Sequence, residues 1–483
     1  CEAWQPRSGA LPAQTDRRIR ISAGNCTRNT PDHRFGPHDE ALFNSLLGLT
    51  PLGVWHDEFI TLGHVREDGF GIIRERLLHW SPRPLSEMFI WAYGIAVEKT
   101  NRPLIATALL PTWALLVCAV LGPSAKTRKG FVASAVLLIL LLVGHKVDEV
   151  FYWPVGALAY VPTVAAMAIL LSIDFAGFAD TSAGRVVTLI ALVTAATSTE
   201  IGALFTAGYC VLALIVSVIT KDRLKLWWLV PFAISLGVLY MMATGRVEKN
   251  IEMFGDHSIV HHPGAALWAA ASNFWGELFG TDVQNASTLT TLAVYHSKLA
   301  FFCGTYFLFS VEKEPTFGRS QLMRLVLAIS LIGAAFLMLA AAYFQFGMAC
   351  CERHATMRQA YFYIALGALG LFAARFRPVR APRAGLWLLI VSVLLPLATE
   401  ISGIANDYRH YRAIMDARIA MWESGLSSGD SMTVSPMPAA KIAGSYDLPA
   451  GAFVEGDGKG GPYAMGMQYF FKKKSVIFDS PSP

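Results

Sequence analysis

Adjacent carboxylates at Asp57 and Glu58 could do chemistry; they lie in the segment WHDEF (55–59), just ahead of a long series of apolar runs. Charge is costly beside lipid, so an acidic pair among apolar and aromatic neighbours needs a function or a partner. A carboxylate that is partly desolvated at a membrane–water boundary can take a proton from a hydroxyl nucleophile. We interpret Asp57 and Glu58 as candidate catalytic residues; an ordinary solvated loop is the alternative.

A second acidic pair, Asp148 and Glu149, precedes an aromatic segment that contains Tyr152, Trp153 and Tyr160. Aromatic rings stack on the faces of sugars, and they also line lipid interfaces. An aromatic belt explains the rings but not the two carboxylates. The segment is therefore a candidate sugar-binding surface.

Glu200 stands in the short polar segment TSTE (197–200) between two apolar runs. A carboxylate in so tight a connection is expected to be partly buried, and a buried charge needs a partner. Glu200 could orient a substrate hydroxyl, bind a metal ion or pair with an arginine.

Cationic candidates follow two of the polar segments. Arg83 lies in WSPRP (80–84), and Arg353, His354 and Arg358 lie in ERHATMR (352–358). The planar guanidinium holds phosphate through a fork of donors and stays charged near lipid. These residues are candidates for binding a lipid phosphate. As alternatives, Arg83 pairs with Glu58 or Glu87, and the later arginines anchor lipid headgroups or pair with Glu200.

The elements that position these residues are apolar. Of the 483 residues, 54% are hydrophobic and 16% are charged, whereas soluble chains carry about 25% charged residues. Ten apolar runs approach the length needed to cross a bilayer, and they predict an all-α polytopic membrane protein with about ten transmembrane helices. The runs are 103–122, 131–146, 158–174, 185–199, 201–220, 226–244, 298–311, 324–347, 359–374 and 384–403.

Charge in the connections predicts the orientation of these spans. Every second connection is short and rich in Lys and Arg, which is typical of cytoplasmic loops. The other connections, including loops 55–84 and 245–297, are then on the outer face. We predict a disordered polar segment over 1–40, a transmembrane domain over 41–403 and a small outer α/β cap over 404–483.

The remaining sequence features exclude several functions. The spans are almost free of ionisable side chains, which argues against proton or sodium coupling. The net charge of +5 is small and indicates topology rather than a nucleic-acid partner. The seven cysteines form no CxxC pair, and no P-loop, GxGxxG, GxSxG or HExxH motif occurs. A divalent cation, Mg²⁺ or Mn²⁺, remains open as a cofactor, with Asp57 and Glu58 as its ligands.

Together, WHDEF, WSPRP, FYWPVGALAY (151–160), STE (198–200) and ERHATMR resemble the GT-C class of membrane glycosyltransferases, and more narrowly its poorly characterised bacterial members. The resemblance implies a GT-C-like bundle, a sugar donor carried on polyprenyl phosphate and an inverting transfer on the outer face. It also implies that an acidic residue of the first outer loop is the catalytic base, which corresponds here to Asp57 or Glu58.

We therefore predict a glycosyltransferase of a bacterial inner membrane, with its active site facing the periplasm or outside. Asp57 is the general base, Glu58 orients it or shares a metal ion, and the arginines hold the donor phosphate. Glu200 and the segment 148–160 shape the sugar pocket, and the acceptor is a glycan or a lipid. The alternatives are a transporter or flippase of a lipid-linked saccharide, and a non-catalytic membrane scaffold.

Overall fold

The computed structural model describes most of the chain from Glu58 onward, and it is mainly helical. The described residues are 58–79, 82–143, 147–221, 226–245, 262–280, 288–310, 318–349, 352–376, 379, 381–434, 453–455 and 461–478. The predicted polar segment 1–40, the carboxylate Asp57 and much of the predicted outer loop 245–297 lie outside these residues.

Three helices precede the apolar runs: α1 (Glu58–Asp68), α2 (Gly71–His79) and α3 (Pro84–Thr100). Both α1 and α2 pack on α3. A Cβ atom at Gly94 of α3 would lie 2.8 Å from the Val65 side chain, so this glycine allows α1 to approach α3 closely. Asn101 ends α3 in a left-handed conformation, with φ of 51°, which asparagine tolerates better than most residues.

Each of the ten predicted apolar runs forms a helix in the described part of the chain. These helices, with the intervening α10, are α4 (Ile105–Leu121), α5 (Arg128–Val143), α6 (Pro154–Phe175), α7 (Ser182–Ser198), α8 (Glu200–Ile219), α9 (Leu229–Gly245), α10 (Pro263–Phe279), α11 (Thr288–Phe309), α12 (Arg319–Phe346), α13 (Glu352–Phe376) and α14 (Pro382–Arg409).

Among the described residues, six helices are long and apolar enough to cross a membrane. They are α6, α8, α12, α13, α14 and the helix formed by α4 with the 3-10 turn that follows it to Lys126. The prediction of a helical, membrane-embedded protein is therefore supported. The count of about ten crossings stays a prediction. Helices α5, α7 and α9 are shorter than a bilayer normally requires, and α11 is long enough but is not among the six that are also apolar enough.

Helix α6 forms the centre of the bundle: almost all of its residues are buried, and it packs against α4, α7 and α13. Around it, α11 lies along α14, and α12 packs on both α8 and α13. Many side chains on the outward faces of α8 and α9 are apolar and exposed, among them Val218, Ile219 and Tyr240. Exposed apolar faces of this kind suit helices that contact lipid.

Helix α11 begins at Thr288, ten residues before the predicted run 298–311. Lys298 therefore lies in the middle of a helix, and it is 3% exposed. Its ammonium donates to the carbonyl groups of Glu277, Leu278 and Gly280 at 2.8, 3.1 and 2.6 Å. The expectation that the helices carry almost no ionisable groups is too simple here, because a buried lysine satisfies the last carbonyls of α10.

The C-terminal part contains α15 (Tyr411–Leu426), β1 (Ser431–Val434), β2 (Phe453–Glu455), α16 (Gly461–Phe471) and β3 (Ser475–Phe478). The sheet order is β1-β3-β2, with β1 parallel and β2 antiparallel to β3. Helix α15 packs on β1, and α16 packs on α1. That this part lies on the outer face stays a prediction.

Candidate active site

The first turns of several helices lie side by side at one end of the bundle. The Ser86 hydroxyl oxygen is 3.1 Å from the carbonyl oxygen of Ala159 and 2.7 Å from that of Ser198. One hydroxyl thus joins α3 to α6 and to the end of α7. Pro84 and Pro154 begin α3 and α6, because proline is preorganised for the first turn, where its missing N–H is not needed.

The connection between α7 and α8 is a tight hairpin that positions Glu200. Thr199 caps α8: its side chain accepts from the Gly202 backbone N–H at 2.9 Å and is 2.9 Å from the Thr163 hydroxyl. A Cβ atom at position 202 would lie 2.0 Å from the Ala195 carbonyl oxygen, so the hairpin requires glycine there. Glu200 therefore stands in the first turn of α8, where the helix dipole favours a negative charge.

Glu58 is the first residue of α1, and its side chain is buried, whereas Asp57 lies outside the described residues. The Tyr93 hydroxyl donates to Glu58 Oε1 at 2.5 Å. Burial raises the pKa of Glu58 to about 8, against the opposing effects of Tyr93, Arg418 and Trp153. At neutral pH the Glu58 carboxyl is mostly protonated, so it is better suited to positioning a neighbour than to accepting a proton from a substrate.

Arg83 lies among carboxylates at the start of α3. Glu87 is buried between two arginines, with 3.4 Å from its Oε1 to Arg83 Nη2 and 3.0 Å from its Oε2 to Arg76 Nε. Burial lowers the pKa of Arg83, but the attraction of Glu200, Tyr160 and Glu87 outweighs this effect, and the pKa lies above its ordinary value. The structure therefore contains the Arg83–Glu87 pair, which the sequence offered as an alternative to phosphate binding. Glu200 is close enough to raise the pKa of Arg83 as well.

Glu149 and Arg353 connect the turn before α6 to the start of α13. The backbone N–H of Arg353 donates to Glu149 Oε2 at 3.0 Å, and its Nη1 is 3.8 Å from the same oxygen. The Arg353 guanidinium also lies over the Trp153 ring, 5.7 Å from its centroid. Trp153 also lowers the pKa of Glu58. Trp153 therefore links Glu58 at the start of α1 to Arg353 at the start of α13.

Tyr152 faces a different set of neighbours. Its ring meets that of Trp113 edge to face, with centroids 5.3 Å apart. Burial raises the pKa of the Tyr152 hydroxyl, and Tyr408 and Asp407 raise it further. Tyr152 therefore joins α14 to the aromatic segment. Asp148 belongs to the same turn, but its side chain is outside the described residues.

Tyr160 stands between the two arginine-bearing segments. The Arg83 guanidinium lies 5.9 Å from the centroid of the Tyr160 ring. The His354 ring meets the Tyr160 ring edge to face, with centroids 6.5 Å apart. The structure thus brings together eight of the candidates at one end of the bundle. They are Glu58, Arg83, Glu149, Trp153, Tyr160, Glu200, Arg353 and His354.

Arg358 belongs to a separate buried cluster. Its side chain is fully buried, with Nε 2.5 Å from Glu277 Oε2 and Nη2 3.1 Å from Glu277 Oε1. This two-pronged pair joins α13 to α10. A protein carboxylate thus bonds to two of the Arg358 donors, Nε and Nη2. That Arg358 holds a lipid phosphate, or alternatively pairs with Glu200, stays a prediction.

Sequence reasoning missed two residues that surround Glu58. Tyr93 is two turns along α3 from Ser86, in an apolar stretch that reads as ordinary core. Arg418 is 1% exposed and lies in α15, 360 positions after Glu58, yet it is close enough to lower the pKa of Glu58. No local pattern indicates Arg418, because its role depends on how the C-terminal helices pack on α1.

A metal site is not assembled by the described residues, among which no group of three or more His, Cys, Asp or Glu side chains could hold an ion. The predicted ligand pair includes Asp57, outside the described part, and Glu58, whose carboxyl bonds to Tyr93. The metal prediction therefore stays a prediction.

No protein-family model, curated protein or solved structure matches this chain. The chemistry is therefore inferred from the clustered residues themselves.

Proposed function

We propose that this protein is a membrane glycosyltransferase that moves a sugar from a polyprenyl-phosphate donor to a glycan or lipid acceptor. The observation that carries the proposal is the clustering of carboxylates, arginines and aromatic rings at one end of an apolar bundle, from Glu58 to His354. A lipid-linked donor needs an apolar bundle for its chain and a polar end for its phosphate and sugar. The carboxylates supply the base and the arginines supply the phosphate contacts.

In the proposed reaction, Asp57 takes the proton of the acceptor hydroxyl. The acceptor oxygen bonds to the anomeric carbon while the bond from that carbon to the phosphate oxygen breaks, so polyprenyl phosphate leaves and the configuration inverts. The transition state has oxocarbenium character, as in other glycosyl transfers. Glu58 is a positioning residue: its buried, Tyr93-bonded carboxyl fixes the first turn of α1 directly after Asp57.

Arg353 is the proposed principal contact for the leaving phosphate. Its side chain is 24% exposed while it pairs with Glu149, so the guanidinium can meet a ligand without losing its protein partner. Arg83 is more enclosed and supports the site mainly through Glu87 and Tyr160. Charge that grows on the departing phosphate is stabilised by such fixed donors.

The sugar pocket is assigned to the residues between these arginines. Tyr160 and Trp153 provide ring surfaces, Glu200 and His354 provide hydrogen bonds, and the turn that carries Asp148 and Tyr152 borders them. Arg358 is paired with Glu277 in the separate buried cluster and is left out of the proposed phosphate contacts. The active site is proposed to face the periplasm or outside of a bacterial inner membrane.

The test is Asp57→Asn, assayed in membranes with radiolabelled hexose and pentose carried on polyprenyl phosphate. Loss of a general base slows transfer by about 10²–10⁴-fold. The matched control is Asp68→Asn at the exposed end of α1, which should retain the wild-type rate. Wild-type transfer by a folded Asp57→Asn protein would sink the base assignment. Repeating the assay with a chelator determines whether Mg²⁺ or Mn²⁺ is required.

Transport of a lipid-linked saccharide is the second candidate, because ionic side chains are buried between α10, α11 and α13. Lys298, Glu277 and Arg358 form this group, and transporters use buried ionic groups along their paths. A fluorescent lipid-linked saccharide in proteoliposomes separates the two functions. Movement between leaflets without any new glycosidic bond would favour transport. The contacts of Tyr160 with both Arg83 and His354 weigh against a scaffold, for which scattered residues are expected.

A further inference from the structure

A polar cavity lies at the opposite end of the bundle from the candidate active site. It is formed by the end of α6, the start of α7, the second half of α8, the turn before α9 and the start of α12. The polar and aromatic side chains that line it include Asp174, Asp180, Arg185, Tyr209, Trp228 and Arg319.

The cavity is separate from the cluster around Glu58. Trp153 stands just before α6, and Asp174 lies in its last turn. A helix of 22 residues is about 33 Å long at 1.5 Å per residue. The two sites are thus at opposite ends of the same helix, and the cavity adjoins the basic connections that the sequence assigns to the cytoplasmic face.

Both signs of charge are available in the cavity. Asp174 is paired with Arg324, with 3.3 Å from Oδ1 to Nε. Asp180 and Arg185 are exposed and, within the described residues, make no ion pair with each other or with another group. Arg319 and Asp180 both lie near the Tyr209 hydroxyl, close enough for electrostatic interaction with it, and all three residues line the cavity. The cavity is therefore lined by charges of both signs besides the Asp174–Arg324 pair, namely Arg185, Arg319 and Asp180.

Trp228 supplies an independent indication of a ligand. It lines the cavity and is 3% exposed. In the described part of the chain its indole N–H has no hydrogen-bond acceptor, although its ring is fixed by Trp227 and Tyr209, with centroids 3.9 and 5.7 Å away. A buried N–H without an acceptor destabilises the protein, and a bound acceptor removes that cost.

The surface beside the cavity is apolar, which indicates a lipid rather than a soluble ligand. Val186 and Ile190 follow Arg185 on α7 and are 56% and 60% exposed. Leu229 and Val230 follow Trp228 and are 42% and 52% exposed. Acyl chains can lie on these faces while the headgroup enters the cavity.

We propose that this cavity binds the headgroup of a phospholipid that carries a primary ammonium group, as in phosphatidylethanolamine. Arg319 and Arg185 hold the phosphodiester, with the Trp228 N–H as a further donor, and Asp180 accepts from the ammonium. A phosphocholine headgroup has no N–H to donate, and a phosphoglycerol headgroup has no cation for Asp180. The mixed charge of the cavity therefore selects phosphoethanolamine over both.

The test is lipid binding to the purified full-length protein in detergent, measured by native mass spectrometry with phosphatidylethanolamine, phosphatidylcholine and phosphatidylglycerol. The wild type should bind phosphatidylethanolamine about tenfold more strongly than the other two lipids. Arg319→Gln should reduce that binding about tenfold, and Asp180→Asn should abolish the preference over phosphatidylcholine. Trp228→Phe keeps the ring packing and should weaken binding several-fold.

The control is Arg128→Gln, an exposed arginine at the same end of the bundle that does not line the cavity. It should bind all three lipids as the wild type does. Equal binding of the three lipids by the wild type would overturn the proposal. So would strong phosphatidylglycerol binding that depends on Arg319 but not on Asp180, since that result describes a simple anion site.

Discussion

At the scale of single residues, the ionisation of Glu58 is coupled to folding. Burial raises its pKa to about 8 from an ordinary value of 4.5. As the pH rises between these values, the unfolded chain loses the Glu58 proton while the folded chain keeps it. The contribution of this group to the free energy of unfolding is therefore fully present below about pH 4.5 and is lost as the pH rises towards 8.

We expect Glu58→Gln, which cannot ionise, to lack this pH dependence. The free energy of unfolding of the wild type should fall relative to the variant by up to about 1.4 kcal/mol per pH unit between pH 5 and pH 8. The measurement is thermal unfolding of both proteins across this range. Glu75→Gln on α2 is the matched control, because the Glu75 side chain is 55% exposed. If the free energies of unfolding of the wild type and Glu58→Gln changed in parallel with pH, the raised pKa of Glu58 would be contradicted.

Glu87 is a second residue whose substitution is expected to lower the stability of the protein strongly. It is 2% exposed and compensates both Arg76 and Arg83. Glu87→Gln removes the carboxylate that Arg76 and Arg83 share, although Glu200 still attracts Arg83. Breaking a buried pair in this way costs about 3–5 kcal/mol. The variant should unfold at a clearly lower temperature than the wild type. The exposed Glu75→Gln change should cost less than about 1 kcal/mol, and equal losses for the two would show that the Glu87 pairs contribute little.

At the scale of elements, the C-terminal helices hold α1 and therefore Glu58. Phe59 packs against Trp422 of α15 and against Phe470 and Phe471 of α16, with ring centroids 5.5 to 6.2 Å apart. Arg66 of α1 donates to the Phe470 carbonyl. Helices α15 and α16 therefore help to form the candidate site, although they come after the bundle in the sequence.

A close helix contact in this region depends on Gly425. A Cβ atom at this position of α15 would lie 2.5 Å from the Phe471 ring, which is itself buried against Phe59. Gly425→Ala should therefore destabilise the docking of α16 by about 1–3 kcal/mol. Limited proteolysis should release the C-terminal part faster in this variant. Gly429→Ala is the control, since the nearest atom to its Cβ would be 3.8 Å away; equal proteolysis rates would show that the contact tolerates a methyl group.

At the scale of the whole molecule, the two polar sites lie at opposite ends of one apolar bundle. Ser428 is exposed beside the C-terminal sheet, at the end that carries Glu58, and Lys126 is exposed at the end that carries the polar cavity. The alternation of basic connections predicts that the first end is outside and the second is cytoplasmic. For the proposed transfer, this assignment decides which compartment supplies the acceptor.

Single cysteines test the orientation directly. In a cysteine-free background, Ser428→Cys should react with a membrane-impermeant maleimide in intact spheroplasts. Lys126→Cys should react only after the membrane is permeabilised. The reverse pattern would invert the topology, and labelling of both in intact spheroplasts would mean that the two ends do not lie on opposite sides.

The sequence by itself determined the helical membrane class and the approximate position of each bundle helix, because apolar side chains in runs of bilayer length have few other stable solutions. It also singled out Glu58, Arg83, Glu149 and Arg353 as polar candidates outside the apolar runs. Charge type and local spacing are properties of the chain alone, and they indicate where polar groups meet the bundle.

Only the tertiary structure decided which of these groups are partners. Arg358 is committed to Glu277, 81 positions away, and Arg418 reaches Glu58 across most of the chain. Such pairs depend on how helices far apart in sequence pack, and local patterns carry no record of that packing. The burial of Glu58 also depends on tertiary packing, because Tyr93, Trp153 and Arg418 come from three distant parts of the chain. That burial raises the pKa of Glu58 and so changes its protonation.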